Sequence, residues 1–358
     1  MKNRVYAEWP IGILTTSVRR DRLGGNTANF QRIVKAAHER GVECAVVNIL
    51  PDGAVRYLTA DGRRAFSTVH LAHAPRVLYN RIPTRILERR PYVRRLLREW
   101  ERAGTVVTNP GIVSKSDIDT LWNGQNALHA WLLYTEELRT VGQVKAFSER
   151  YARFYAKPFD GKAGVGIVRV ERAGDLYTVC EQKKGRVVQL DRLTWTELAS
   201  YLQHKGVCGR YLLQQEARTA LYQDRRFDLR LLLHRAAPDS FTITGMGVRL
   251  APYAGITTHV PNGGQIADAK SVLAEVFRQS ADEVAERARA AAIMAANAIA
   301  RSPGTWTELS IDMGLLSNGE PRLFEANAKP MKFDEAQIER AAKRRLTGAL
   351  LALAESRG

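Results

Sequence analysis

Residues 307–332 read TELSIDMGLLSNGEPRLFEANAKPMK, with two stretches of strand-forming residues on either side of Asn318-Gly319. That dipeptide is the strongest short-range signal for a two-residue type I′ turn, because both central residues need positive φ. The stretch therefore reads as a β-hairpin. If Ser317 pairs with Glu320, Asp312 stands directly across from Glu325. Asn327 then shares their face, since strand side chains alternate. Directly opposed Cβ atoms are about 5 Å apart, so the two carboxylates repel unless a cation lies between them. Two carboxylates and an amide oxygen, completed by water and phosphate oxygens, make a usual shell for Mg²⁺ held together with a nucleotide. A solvated hairpin with its charges on the wet face is the plainer alternative, and only the remaining chain separates the two.

The 358 residues are enough for two or three lobes with buried cores, and 45% hydrophobic with 25% charged residues is ordinary for a globular enzyme. The formal charge of +17 invites nucleic acid, an anionic surface or an anionic substrate. Its arginines are spread along the chain, which equally suits a solvated surface. Cys44, Cys180 and Cys208 are far apart and form no Cys-x-x-Cys pair, so neither zinc nor disulfides are expected. No apolar run approaches a signal peptide or a membrane span of ~18 residues. The expectation is a cytoplasmic protein without membrane insertion.

From the N-terminus, residues 9–16 and 43–50 read as buried strands. Between them Gly24-Gly25-Asn26 leads into a helix with Phe30, Ile33, Val34 and Ala37 on one face. This is the opening of an α/β domain. After a third strand at 76–79, residues 85–104 read as a basic helical stretch with Ile86, Leu87, Leu96, Leu97 and Trp100 as core contacts. Its arginines 89, 90, 94, 95, 98 and 102 suit either nucleic acid or solvent. Asn109-Pro110-Gly111 marks a domain boundary. Residues 116–137 read as helical, with Leu121, Leu128, Trp131 and Leu132 buried. A strand at 153–157 then runs into PFDGKAGVG (158–166) and a second strand at 167–170. This strand-loop-strand order and the lack of Gly-Lys-Ser/Thr exclude a Walker loop. Gly161, Gly164 and Gly166 instead allow backbone N–H groups to close over anionic oxygens beside Lys157. As an exposed loop, it should tolerate Gly164→Val with little loss of stability. A strand at 211–216 ends in polar residues suited to meet adenine. Residues 227–234 put Leu229, Leu231 and Leu233 on one face and Asp228, Arg230 and His234 on the other, and 241–250, carrying Arg249, is the antiparallel partner. Asp228 and Arg230 could pair with each other, or Arg230 could face phosphate. In the polar loop 257–265, His259 reads as a loop hydrogen-bonder. Helices at 280–301 and 335–355 bracket the hairpin.

Taken in order, a lysine before a glycine-rich flap, a polar strand end, an Asp-Leu-Arg strand, an Asn-Gly-Gly loop and Asp, Glu and Asn at 312, 325 and 327 resemble the ATP-grasp fold. The segments VLYNRIPTR (77–85), AKPFDGKAGVGIVRV (156–170), DLRLLLHR (228–235), GMGVRLAPYAGITTHVPNGG (245–264), ELSIDMG (308–314) and FEANAKPMK (324–332) are similar to the YheC/YheD endospore coat-associated family of ATP-grasp proteins. The resemblance implies an N-terminal α/β domain (1–110) followed by an ATP-grasp domain (111–358) of two α+β lobes, about 111–210 and 211–358. It implies ATP with one or two Mg²⁺ ions, or Mn²⁺, as cofactors. Lys157 becomes a phosphate ligand. Gly161, Lys162, Gly164 and Gly166 form the phosphate flap, and Gln215, Glu216 and Ala217 the adenine hinge. Asp228 and the loop Asn262, Gly263 and Gly264 complete the nucleotide set. Arg230 and Arg249 face the γ-phosphate or acyl phosphate, with Lys157 as the third catalytic group, and Asp312, Glu325 and Asn327 hold the metal. The family's second phosphate lysine has no counterpart in LWNGQNALHAWLL (121–133), so Lys115 or Lys145 must substitute, or nucleotide binding is weaker.

The implied activity is a carboxylate-amine ligase, or one using another nucleophile, that acts through an acyl phosphate and releases ADP and phosphate. Its substrates would be small-molecule or peptide carboxylates and amines, with spore coat proteins as further partners, in the cytoplasm of a sporulating cell or at the coat. A non-catalytic ATP-binding scaffold of the spore coat is the alternative. Nucleic acid is favoured by charge alone.

Overall fold

The structure is a computed structural model that describes residues 9–356, apart from 20–21, 61–65, 72, 110, 112–114, 160, 162–163 and 238–239. Strands that are apolar at every position need cover on both faces. β1 (Ile11–Thr16) and β2 (Cys44–Ile49) are buried throughout and pair in parallel. With β3 (Val55–Ala60), β4 (Phe66–Val69), β5 (Val77–Asn80) and β6 (Val106–Thr108) they form a sheet of order β4-β3-β2-β1-β5-β6. α1 (Thr27–His38) is capped by the Asn26 side chain and buries the expected Phe30, Ile33, Val34 and Ala37. The basic stretch is two helices, α2 (Arg85–Glu88) and α3 (Pro91–Arg102), because Pro91 opens a new helix at its first position. The break changes the helical phase. Leu87 and Val93 are buried while Ile86, an expected core contact, is 75% exposed, and the six arginines face solvent.

The expected helix over 116–137 is also shorter. α4 (Lys115–Asn123) ends before a 3-10 turn at 126–131, and Thr135–Leu138 is instead β7. Leu128 is buried, but Leu121, Trp131 and Leu132 are only partly so. β7 joins β8 (Arg153–Pro158), β9 (Val168–Ala173), β10 (Leu176–Lys183), β11 (Arg186–Leu193) and β12 (Tyr211–Gln215) in the order β11-β10-β9-β8-β12-β7. Helices α5 (Val141–Arg150) and α6 (Trp195–Lys205) cover one face. Lys157, Tyr155, Arg169, Gln214 and Glu216 lie on the other.

The third sheet contains β13 (Leu221–Tyr222), β14 (Arg225–Ala237), β15 (Ser240–Leu250), β16 (Gln265–Ala267), β17 (Glu308–Leu315) and β18 (Pro321–Asn327). Leu229, Leu231 and Leu233 face α7 (Ala269–Phe277) and α8 (Ala281–Ala300) in one core. The alanines of α8 recur every three or four residues, so its backbone can approach the sheet closely. The opposite face carries Asp228, Arg230, Asp312, Glu325 and Asn327.

The hairpin between β17 and β18 corrects the expected turn and keeps the expected pair. Leu316 and Glu320 close a three-residue turn, with Gly319 at φ +79° and its N–H bonded to the Leu316 carbonyl. Leu315 therefore pairs with Pro321, one residue off the two-residue register. A bulge at Phe324 absorbs the difference, and Asp312 pairs with Glu325.

Asn109, expected at a linker, is a buried joint: its amide binds the Glu308 and Ala328 carbonyls and accepts from the Thr307 N–H. α9 (Ala336–Glu355) sends Leu346, Leu350 and Ala354 into the core of the first sheet, so the C-terminal helix completes the N-terminal domain. Cys44, Cys180 and Cys208 are free thiols. Among the described residues no helix is long and apolar enough to cross a membrane.

Candidate functional site

Register puts Arg230 directly across from Asp312, and Asp312 across from Glu325, in one row over three strands. Arg230 Nε lies 3.7 Å from Asp312 Oδ1, and Asn327 Nδ2 donates to Asp312 Oδ2 at 3.1 Å and to Glu325 Oε1 at 3.4 Å. Burial, then the neighbouring Glu325 and Asp228, pushes the Asp312 carboxyl above the ordinary range, with Arg230 opposing. Burial would also raise Glu325, but Lys115 above all, with His259 and Lys157, holds it well below. One carboxylate of the pair is therefore ill-served by the protein alone. Asp312 Oδ1 is buried without a hydrogen-bond partner among the described residues. Adjacent carboxylates with an orphaned oxygen fit a divalent cation, which would replace a proton between them. Among the described residues no three His, Cys, Asp or Glu side chains make a metal cluster, so the set depends on Asn327, whose amide would turn its oxygen inward.

Two lysines lie near these carboxylates: Lys115 on α4, which packs on α8 and β18, and Lys157 on β8 of the second sheet. Lys115 Nζ is 3.2 Å from Glu325 Oε2. Lys157 donates to Gln214 Oε1 and lies 5.7 Å from the centre of the Phe324 ring. Burial and then Lys115 lower its pKa to about 8. Lys145, the other candidate for the second lysine, sits over Trp195 on the far side of the sheet. Gln214, Lys115, Lys157, Phe324 and Glu325 line one narrow cavity. Sequence reasoning did not single out Gln214, because a polar pair at a strand end does not reveal which member faces Lys157.

The flap between β8 and β9 packs on the loop 257–264 of the second lobe. A side chain at Gly164, where φ is +74°, would meet His259 Nδ1 at 3.0 Å, Thr257 at 3.2 Å and Asn262 at 3.3 Å. Gly164 is thus enclosed, contrary to the expectation of an open loop, and Lys162 lies outside the described residues. Thr257 donates to Gln182 of β10, and the Gly185 N–H to Asn262 Oδ1. Gly161 and Gly166 belong to the same flap. At the back of the loop Gly263 has φ +89°, and a side chain at Gly264 would strike the Thr258 carbonyl. Asp228 accepts from Thr258 Oγ1 at 2.5 Å rather than pairing with Arg230, and burial raises its pKa to about 6.

Two expected contacts are committed elsewhere. The Glu216 carboxylate is bound by Arg169 at 2.9 Å and Arg226 at 2.5 Å, with the Tyr155 hydroxyl at 3.4 Å. The Glu216 N–H donates to the Arg153 carbonyl and the Ala217 carbonyl accepts from the Thr219 N–H, which leaves the Glu216 carbonyl and the Ala217 N–H as the backbone groups suited to a base. A cavity of about 370 Å³ opens against this hinge, lined by Glu216, Ala217, Arg218, Arg226 and Pro252 among others. Arg249 makes a bidentate pair with Glu335, at 2.7 and 3.2 Å, over the buried Phe333 ring. Arg230 stacks near the same ring. Arg249 is therefore held by Glu335, and Arg230 is the arginine facing the carboxylates.

A family model described as YheC/D-like ATP-grasp matches residues 104–355. The chain belongs to that family. The endospore coat-associated protein YheD of Bacillus subtilis (strain 168) is 26% identical over 266 residues, 72% of this chain and 57% of the relative, so the chain spans little over half of that curated relative. Among solved structures, the D-cycloserine synthetase DcsG superposes with a TM-score of 0.57 at 16% identity, over 97% of this chain and 100% of the other. The D-alanine-D-alanine ligase of Coxiella burnetii gives 0.56 at 12% identity, over 97% and 95%. The ATP-grasp ligase PsnB with its minimal precursor gives 0.54 at 16% identity, over 97% and 99%. At these identities the likeness concerns the fold, which is ATP-grasp.

Proposed function

We propose that this ATP-grasp protein is a Mg-ATP-dependent ligase that joins a carboxylate to an amine or another nucleophile and releases ADP and phosphate. The observation that carries the reading is the Arg230-Asp312-Glu325 row, in which Asp312 Oδ1 has no hydrogen-bond partner among the described residues and Lys115 reaches Glu325. Asp312, Glu325 and Asn327 would hold Mg²⁺, which neutralises phosphate charge when bound. Lys157 and Lys115 would hold phosphate oxygens, the flap would exclude water, and the backbone of 215–217 would meet the adenine. In the reaction an oxygen of the substrate carboxylate bonds to the γ-phosphorus, the bond to the β-γ bridging oxygen breaks, and ADP leaves. The nucleophile then attacks the acyl carbon, loses its proton to solvent, and phosphate departs with one former carboxylate oxygen. Arg230 would stabilise the charge that develops on the phosphoryl group.

The substrates would be small-molecule or peptide carboxylates and amines. In this reading the first sheet, with α9 packed into its core, stands beside the acceptor pocket, and the protein works in the cytoplasm of a sporulating cell or at the coat, by analogy with the coat-associated relative. Nucleic acid has no part in it. The capture of Arg249 by Glu335 favours a second reading, a nucleotide-binding coat scaffold without turnover. Incubation with Mg-ATP and pooled amino acids, peptides and cell-wall precursors separates the two. Substrate-dependent ADP, hydroxamate formation with hydroxylamine, and ¹⁸O passing from the carboxylate to phosphate are expected of the ligase. AMP and pyrophosphate would refute the acyl-phosphate route, and nucleotide binding without turnover would favour the scaffold.

A further inference from the structure

His259 is held by its backbone and leaves its ring unused. Its carbonyl accepts from the Asn262 N–H at 2.9 Å and the Gly264 N–H at 3.2 Å, which fixes the loop. The imidazole makes no such bond: Nδ1 is buried without a partner among the described residues. That atom is 3.0 Å from where a side chain would begin at Gly164, so it lies directly against the flap. The charges of Glu325, Lys115, Arg230 and Lys157 all bear on the ring, which places it among the groups that converge on the carboxylate row. An unpaired buried nitrogen is costly, and such groups in native proteins usually mark a missing partner. The cations and the flap both point to an anionic oxygen as that partner.

We propose that His259 is a nucleotide-contacting residue, whose Nδ1–H donates to an oxygen of the terminal phosphoryl group beneath the flap at Gly164. This rests on the Mg-ATP reading and adds a residue to it. Burial lowers the pKa of the ring, which keeps the imidazole neutral with one N–H to donate. The choice of phosphoryl group follows from the charges that act on the ring, which include Arg230 and Glu325, the groups assigned to the transferred end.

The test compares Mg-ATP and Mg-ADP affinities by calorimetry in wild type, His259→Phe and His259→Asn. Phenylalanine keeps the ring volume without a donor, whereas the asparagine amide nitrogen can stand where Nδ1 stood. The phenylalanine variant is expected to bind Mg-ATP about tenfold more weakly, as suits a lost hydrogen bond to a charged group, with Mg-ADP changed less than about threefold. The asparagine variant should keep most of the wild-type preference for ATP. Equal weakening of both nucleotides, or none, in the phenylalanine variant would overturn the proposal and leave the Mg-ATP reading intact. Failure of the wild type to bind either nucleotide would instead overturn that reading. Should phenylalanine prevent folding, His259→Leu gives the same comparison.

Discussion

Lys115 and Lys145 were equal candidates in the sequence for the missing phosphate lysine, and only their surroundings separate them. Lys115 reaches Glu325 and lowers the pKa of Lys157, whereas Lys145 lies over Trp195. Lys115→Met is therefore expected to weaken Mg-ATP binding about tenfold to a hundredfold, the range of a charge-assisted hydrogen bond. Lys145→Met should change it less than about twofold. Fluorescence titration with a nucleotide analogue checks both, and equal losses would remove Lys115 from the site. At this scale the sequence identifies residue types better than partners. Asp312 and Glu325 were legible because strand periodicity and a turn signal lie within a few residues of them. The Arg169 contact of Glu216 and the Glu335 contact of Arg249 join positions 47 and 86 residues apart and leave no local pattern.

At the scale of elements, two departures of one residue cancel in the hairpin. The three-residue turn shifts the register, and the bulge at Phe324 restores it before Asp312 meets Glu325. The bulge also aims Phe324 into the cleft beside Lys157, which a strict alternation does not foresee. The flap departs in the opposite sense, since the glycine spacing foretold its loop but not the second-lobe residues packed on it. Gly164→Val must hold a β-branched residue at positive φ and press it against His259, Thr257 and Asn262. A loss of about 1–3 kcal/mol in stability is expected from the backbone alone, together with weaker nucleotide binding. Chemical denaturation reads the first effect, and an unchanged midpoint would mean that the flap lies open. The split of the expected 116–137 helix follows the same principle: Thr135–Leu138 gains more from pairing with β12 than from continuing a helix.

For the whole molecule, the three sheets were legible as an α/β domain followed by two lobes, but the joint between the first and third was not. Glu308 is buried there, bonded by Tyr79, Arg81 and His234. Burial would raise its pKa, but His234, whose Nε2 lies 3.5 Å away, with Arg81 and Tyr79, holds it below the ordinary value. Its ionised form stabilises the fold at pH values above the usual glutamate pKa, and this contribution is lost as pH falls through the lower folded-state pKa. Glu308→Gln should cost about 3–5 kcal/mol near neutral pH, and the gap from wild type should close in acid. A gap independent of pH would show that the carboxylate charge is not what holds the joint. The central proposal places a cation, bound with ATP, at the opposed Asp312 and Glu325 carboxylates, in the cleft between the second and third sheets. Its most direct test is calorimetric titration of ATP, with and without Mg²⁺, into wild type and Glu325→Gln. The wild type should bind one ATP per chain at least about tenfold more tightly with Mg²⁺, and the variant should lose most of that dependence. Identical Mg²⁺ dependence in the two proteins would contradict the account.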